Sequence, residues 1–253
     1  MRKNKQNKAQ VTIFIVIALI IVAGMALIFL IWREPVTTVS PTTNPEAYIE
    51  KCIKDAGKEA IDILSEQGGD IEPEGSVMYE GKERTYLCYN KNYYNPCINQ
   101  RPMLIEHIES EISNYLEPKM RSCFSSLREE LEKRNYAVNL GEMNIITELQ
   151  TKKVIMTVER KVEMGKNQDI RNFEKFKTQT SHPIYDLAEI GNEIASQEAK
   201  YCYFNVNGFN SNYPKFEVRK DMIDGSKIYS VREKATDKVF IFAIRGCVMP
   251  AGL

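Results

Sequence analysis

The longest hydrophobic stretch of the chain covers residues 11–32 and contains no charged side chain. About 20 apolar residues in an α-helix are long enough to cross the hydrocarbon core of a membrane. Residues 1–10 contain basic side chains and no acidic one. Because basic residues next to a membrane span stay in the cytoplasm, residues 1–10 are predicted to form a cytoplasmic leader and the C-terminal bulk to lie outside. A cleaved secretory signal is the alternative, but its apolar region is shorter and ends at a small-x-small site. The pattern therefore favours an uncleaved, single-pass signal anchor in the cell membrane.

After this stretch the pattern changes to an extended segment and then to helices. Residues 33–45 are rich in proline and threonine, which is typical of an extended stalk. Apolar residues then recur at helical spacing from Pro45 to Gly68, and again from about Met103 to Arg134, where Pro118 is expected to kink or divide the helix. A short hairpin is predicted between the two helices. Together these elements predict a helix–hairpin–helix subdomain over residues 46–135.

The second half of the chain follows the two-residue period of β-strands. Val154 to Met164 alternates apolar and polar residues, and further strands are predicted on both sides of it. A helix follows from about residue 181, then a hairpin at Asp224-Gly225 and a fully apolar strand from Val239 to Ile244. Residues 136–253 are thus a predicted subdomain of antiparallel sheet plus helix. The predicted fold class is α+β: an N-terminal transmembrane helix, a Pro/Thr stalk, and an extracytoplasmic domain with an antiparallel sheet and about three amphipathic helices on one face.

The charge balance excludes one class of partner. The chain has 34 basic and 34 acidic residues, and five of the basic ones precede the first acidic residue, Glu34. The predicted outer part therefore carries 29 basic and 34 acidic residues, a net charge near −5. Nucleic-acid binding needs a clustered basic surface, so nucleic acid is not expected as a partner.

All six cysteines lie in the predicted outer part, where an even number is typical of disulfides. Zinc binding would need Cys-x2-4-Cys knuckles, which the chain lacks. Packing of the first two predicted helices brings Cys52 next to Cys123, and Cys88 with Cys97 closes a short loop. The predicted pairs are therefore Cys52–Cys123, Cys88–Cys97 and Cys202–Cys247. Reduced, buried cysteines remain the alternative if the compartment is not oxidising.

The two histidines are the candidates for acid–base chemistry. His107 has Glu106 beside it and Glu111 four residues later, but such pairs are common on solvated helix surfaces. His182 precedes Pro183 at a predicted helix start, which favours a structural or exposed role. No phosphate loop, nucleophile elbow or acidic metal loop occurs. We therefore predict no catalytic residue, no metal site, no cofactor and no histidine-dependent catalysis.

Two loops rich in tyrosine and asparagine are the candidates for binding. Such residues combine rigid contact area with adaptable hydrogen bonding. The alternative is that asparagine, glycine and proline simply form turns here. The candidate binding residues are Tyr89, Asn92, Tyr93 and Tyr94 in the first loop and Asn207, Phe209 and Tyr213 in the second.

The residues around the start of the apolar stretch resemble a known class of signal sequence. The start resembles the class III signal of archaeal type IV pilin-like proteins, because Gln10 and Thr12 stand where that pattern has Gln and Ser or Thr, whereas Ala9 stands where glycine is commoner. The whole start is also similar to uncharacterised archaeal membrane-anchored surface proteins. In the pilin pattern a glutamate stands at the position of Phe14, so we expect the leader to be retained. The resemblance implies assembly into a filament as one alternative function.

Three functions therefore stay open at this point. The first is a membrane-anchored extracytoplasmic surface protein with a structural or binding role. The second is a pilin-like filament subunit, and the third is an extracytoplasmic enzyme of unknown reaction. The expected partners are the lipid bilayer through residues 11–32 and a protein or glycan at the cell surface.

Overall fold

The structure is a computed structural model that describes residues 15–25, 44–167 and 169–248. Residues 15–25 are helical. The part from residue 44 onwards is a compact α+β unit with four helices: α1 (Pro45–Gln67), α2 (Leu104–Glu132), α3 (Ile184–Tyr201) and α4 (Val206–Asn212). Its strands are β1 (Ser76–Tyr79), β2 (Lys82–Tyr89), β3 (Ile98–Asn99), β4 (Ala137–Gln150), β5 (Lys153–Lys166), β6 (Asp169–Ser181), β7 (Phe216–Ile223), β8 (Ser226–Glu233) and β9 (Val239–Arg245).

The prediction of a transmembrane helix is wrong for the described part of the chain. No helix there is both long and apolar enough to cross a membrane. The other predicted transmembrane residues, 11–14 and 26–32, lie outside the described residues, as do the leader and most of the stalk.

The sheet prediction also needs correction, because the strands of the described residues form two sheets and not one antiparallel sheet. β4, β5 and β6 form a three-stranded antiparallel sheet, whereas the larger sheet has the order β1-β2-β9-β8-β7, with β3 on β2. Within the larger sheet β2 and β9 run parallel, with Tyr89 opposite Arg245. β9 is central, as its apolar sequence predicts. Because β2 pairs with β9, strands from the predicted subdomains 46–135 and 136–253 lie in one sheet.

Capping residues and glycines set the ends of α1, and buried packing keeps α2 continuous across a proline. The Asn44 side chain accepts a hydrogen bond from the amide of Ala47 at 3.0 Å and caps α1, which ends at Gly68 in the left-handed conformation. Pro118 lies inside α2 without dividing it. A continuous stripe of buried residues on both sides of Pro118, including Leu116 and Met120, packs into the core and offsets the lost hydrogen bond.

The core lies where α1 and α2 pack on each other and on the sheets. α1 contacts strands of both sheets, and α3 packs on β8 and β9. Where α1 approaches β5, a Cβ atom on Gly57 would lie 2.1 Å from the sulfur of Met156, so the Met156 side chain would have to move to admit it. Three disulfides, Cys52–Cys123, Cys88–Cys97 and Cys202–Cys247, join these elements and match the predicted pairs.

The buried side chain of His182 makes the stability of the fold sensitive to acid. Its Nδ1 accepts a hydrogen bond from the amide of Ile184 at 3.1 Å and so caps α3. Burial, with a smaller contribution from Lys238, lowers the pKa of His182 to about 4, although Asp62 and Glu233 act in the opposite direction.

Because the unfolded histidine titrates near pH 6.5, the unfolded state binds more protons than the folded state between about pH 6.5 and 4. The free energy of unfolding should therefore fall by about 3 kcal/mol as the pH is lowered through this window. Urea unfolding at pH 7 and 4.5 measures this fall. His182→Asn retains a capping oxygen and should show a smaller fall; an equal fall in both proteins would contradict the role of His182.

Candidate ligand-binding site

A polar pocket of about 560 Å³ opens where β1, β2, β3 and the end of β9 come together. The parallel pairing of β2 with β9 builds it, because this pairing sets Tyr89 directly beside Arg245. The segments before β1 and after β3 complete the rim. The lining residues are Glu74, Gly75, Ser76, Thr85, Tyr86, Tyr89, Gln100, Arg101 and Arg245.

Arg245 is the charged group that faces the pocket from β9. Its guanidinium carbon lies 3.9 Å from the ring centroid of Tyr93 and 5.3 Å from that of Tyr89. One NH2 group donates to the carbonyl of Lys91 at 3.3 Å. Within the described residues Arg245 has no carboxylate partner. The stacked tyrosine rings therefore position a guanidinium whose charge is not neutralised by an ion pair there.

The backbone around Arg245 is tied to the loop 90–96. The amide of Asn90 donates to the Arg245 carbonyl at 2.8 Å, and the amide of Val248 donates to the Tyr93 carbonyl at 2.8 Å. At Gly246 a Cβ atom would lie 2.7 Å from the Cys97 amide nitrogen, so only glycine fits this approach. The Cys88–Cys97 and Cys202–Cys247 bridges close the same region. The loop is thus held rigidly against β9.

Arg101 brings a second guanidinium to the pocket and is held by the buried carboxylate of Asp70. An Arg101 NH2 group lies 3.4 Å from Asp70 Oδ1, and His107 Nε2 lies 2.5 Å from the same oxygen. Burial raises the pKa of Asp70, but the hydrogen bond with His107 and the charge of Arg101 act in the opposite direction, and the pKa of Asp70 lies below its ordinary value. Asp70 therefore stays ionised and orients Arg101.

Two tyrosines form the aromatic wall of the pocket. Their ring centroids, in Tyr86 and Tyr89, are 5.1 Å apart with an interplanar angle of 56°. The Tyr86 hydroxyl lies 2.8 Å from Ser226 Oγ on β8, which fixes its ring. Gln100 and Ser76 add neutral polar groups at the rim. The site thus combines aromatic surface, two guanidinium groups and several neutral hydrogen-bonding groups.

The structure separates the two predicted binding loops. In the first, Tyr89 lines the pocket and Tyr93 stacks on Arg245, whereas Tyr94 is exposed and Asn92 forms a turn with the Asn95 amide. The second loop is not a loop, because residues 206–212 form α4. The Asn205 side chain caps this helix by accepting a hydrogen bond from the amide of Gly208 at 2.9 Å.

The residues of the second predicted loop lie in a different part of the molecule. Asn207 is exposed on α4, and Phe209 and Tyr213 line a separate groove. Sequence reasoning missed Asp70, Arg101 and Arg245. The one local signal was the Gly68-Gly69 pair, which ends α1 and turns the chain so that Asp70 is buried.

The contacts of the histidines differ from the contacts that the sequence predicts. His107 does not form an exposed pair with Glu106; it binds Asp70, while Glu111 accepts a hydrogen bond from the Ile71 amide at 2.9 Å. His107 and Glu111, which both lie on α2, thus bind the consecutive residues Asp70 and Ile71 and hold this turn against the helix. His107 is not among the residues that line the pocket, and the absence of histidine-dependent catalysis stays a prediction. Among the described residues no group of three or more His, Cys, Asp or Glu side chains is placed to hold a metal ion.

Comparison with family models, curated proteins and solved structures finds no match to this chain. The pilin-like pattern at Ala9, Gln10, Thr12 and Phe14 lies outside the described residues. The inference of function therefore depends on the geometry of the site.

Proposed function

We propose that this protein is an extracytoplasmic binding protein whose polar pocket holds an acidic sugar, such as a uronic-acid unit of a glycan. The observation that carries the proposal is the position of Arg245. Its guanidinium faces a 560 Å³ pocket between two tyrosine rings and has no carboxylate partner among the described residues. A carboxylate of the ligand would supply the missing partner.

The charges of the pocket support a carboxylate-bearing ligand. Guanidinium groups bind carboxylates through two parallel hydrogen bonds, and such charge-assisted bonds are stronger than neutral ones. Arg101 and Arg245 both line the pocket, and Glu74 is the lining acidic residue. Asp70 lies behind Arg101 and orients it. A neutral sugar would leave Arg245 without an anionic partner, so the acidic sugar should bind more tightly.

The shape and the neutral groups of the pocket support a sugar ring. Ligand pockets have volumes of about 300–1,000 Å³ and combine aromatic surface with a few polar groups. Tyr86 and Tyr89 offer fixed aromatic surface for the ring, and Gln100, Ser76 and Glu74 offer partners for its hydroxyl groups. The pocket has room for one or two sugar units.

The disulfides support a location outside the reducing cytoplasm. Disulfides form and persist in oxidising compartments and are rare in the cytosol of mesophiles. All six cysteines of the chain are paired in the structure. Two of the three bridges adjoin the loop that holds Arg245. A reducing compartment would therefore loosen the site itself.

Arg245→Gln should weaken binding of galacturonic acid by about tenfold to a hundredfold, because a hydrogen bond to a charged group contributes about 1.5–3 kcal/mol. Arg245→Lys retains the charge but loses the planar fork, and it should fall between the wild type and Arg245→Gln. Isothermal titration with galacturonic acid and with neutral galactose measures the difference.

The matched control is Arg171→Gln, which removes an exposed arginine of β6. It should leave the affinity unchanged. The proposal is wrong if the wild type does not prefer galacturonic acid to galactose, or if both glutamine variants lose affinity equally. Near-ultraviolet circular dichroism of each variant reports whether the tyrosine packing around residue 245 is retained.

A further inference from the structure

A second concave surface, with a volume of about 450 Å³, lies between α3, α4 and the start of β7. We call it the acidic groove. Its residues form an aromatic wall on one side and an acidic helix face on the other. The lining residues used here are Asp186, Glu189, Glu193, Phe209, Tyr213 and Phe216.

The aromatic wall is a packed stack that continues into the core. The ring centroids of Phe209 and Tyr213 are 4.8 Å apart and those of Phe204 and Phe209 are 5.7 Å apart. Phe204 is buried and packs edge-on against Tyr229. Tyr213, at the outer end of the stack, is 56% exposed. A rigid stack anchored at one end thus leaves a large aromatic surface open at the other.

The opposite wall carries three carboxylates without ion-pair partners among the described residues. Asp186, Glu189 and Glu193 follow one another at positions i, i+3 and i+7 of α3, so they share one face of the helix. Among the described residues, no lysine or arginine lines the groove. The Asp186 carboxylate accepts a hydrogen bond from the Lys152 amide at 3.1 Å, which fixes one end of the row. The row extends about 10 Å along the helix.

We propose that the acidic groove binds a basic amphipathic peptide segment of a partner protein. An apolar side chain of the segment lies on Phe209 and Tyr213, and lysine or arginine side chains on both sides of it pair with the carboxylates of α3. In an extended peptide successive side chains point to opposite sides, so two basic residues at positions i and i+2, about 7 Å apart, can face the acidic row while the apolar residue between them faces the aromatic wall. The proposal does not depend on the sugar pocket, because the two surfaces share no lining residue.

The charge of the groove decides between occupants. Three carboxylates would repel an anionic lipid surface or a nucleic acid. A neutral apolar partner would desolvate the carboxylates without supplying cations, which is costly. A basic segment with an apolar residue supplies cations for the carboxylates of α3 and an apolar side chain for the aromatic wall. Complementary charges of this kind also raise the association rate, and both this rate and the affinity fall as the salt concentration rises.

Fluorescence anisotropy with labelled octapeptides tests the proposal on the full chain. The probe has the core Lys-Phe-Lys-Leu, and two matched probes have Glu-Phe-Glu-Leu and Lys-Ser-Lys-Ser cores. The first should bind at least tenfold more tightly than either of the others, and its affinity should fall as salt rises from 50 to 300 mM (about threefold or more).

Two variants and one control then locate the binding surface. Glu189→Gln with Glu193→Gln should weaken the first probe about fivefold to tenfold, since exposed ion pairs contribute modestly. Tyr213→Ser, at a mostly exposed position, should weaken it about tenfold, since exposed aromatic anchors dominate peptide interfaces. Glu174→Gln removes an exposed carboxylate of β6 and should have no effect.

The proposal is overturned by any of three results. The first is an absence of binding by the first probe. The second is equal binding of the lysine and glutamate probes, and the third is an affinity that is the same in the wild type, the double glutamine variant and Tyr213→Ser. Galacturonic acid binding by the same variants should stay unchanged, which separates the two surfaces.

Discussion

Glu198→Ala is expected to lower the free energy of unfolding by about 3–5 kcal/mol, since breaking a buried ion pair leaves an unpaired charge. Lys227 Nζ lies 2.5 Å from Glu198 Oε2 and donates to the Cys202 carbonyl at 3.2 Å. The side chains of Lys227 and Glu198 are only 8% and 1% exposed. The Tyr229 hydroxyl donates to the other oxygen of Glu198. Urea unfolding at pH 7 measures the loss.

Two controls show whether the loss comes from the unpaired lysine. Asp55→Ala breaks an exposed pair with Lys51 on α1 and should cost less than about 1 kcal/mol. Glu198→Leu combined with Lys227→Met removes both charges and should recover a large part of the loss. A double variant that is no more stable than Glu198→Ala would contradict the account of this ion pair.

Removal of the Cys52–Cys123 bridge by alanine at both positions should cost about 4 kcal/mol in the chain-entropy model. The two cysteines are 71 residues apart, and their Cα atoms lie 6.6 Å apart between α1 and α2. Removal of Cys88–Cys97, which closes a separation of 9 residues, should cost less, about 2–3 kcal/mol.

Urea unfolding of both double variants, with the oxidised wild type as reference, measures this order. Equal costs for the two bridges, or a larger cost for the short loop, would show that constraint of the unfolded chain does not explain the stabilisation. Mass spectrometry of each unreduced variant establishes that the two remaining bridges are formed.

Local signals account for the part of the fold that could be predicted from the sequence. Some signals affect only the backbone within a few residues of their own position. They are the helix cap at Asn44, the helix end at Gly68 and the turn at Asp224-Gly225, and the structure has each in its expected place. The apolar stripes of α1 and α2 also place Cys52 opposite Cys123. In each case the signal and its consequence lie on the same element or on two elements with complementary apolar faces.

The rest depends on pairings between distant positions, which a single sequence does not reveal. Tyr89 meets Arg245 through the parallel pairing of β2 with β9, more than 150 residues apart in the chain. Asp70 meets His107 because the Gly68-Gly69 turn directs it back under α2. The loop prediction at residues 205–213 was wrong because Asn205 acts as a helix cap and not as a turn residue.

Chemical-shift mapping of the ¹⁵N-labelled protein during titration with galacturonic acid tests the sugar pocket most directly. The largest shifts should occur at the amides of Tyr86, Tyr89, Arg101 and Arg245 and at the Nε–H of Arg245. Galactose at the same concentration should cause much smaller shifts there. Shifts that are absent from these groups, or that are equal for the acidic and the neutral sugar, would show that the pocket does not select an acidic sugar.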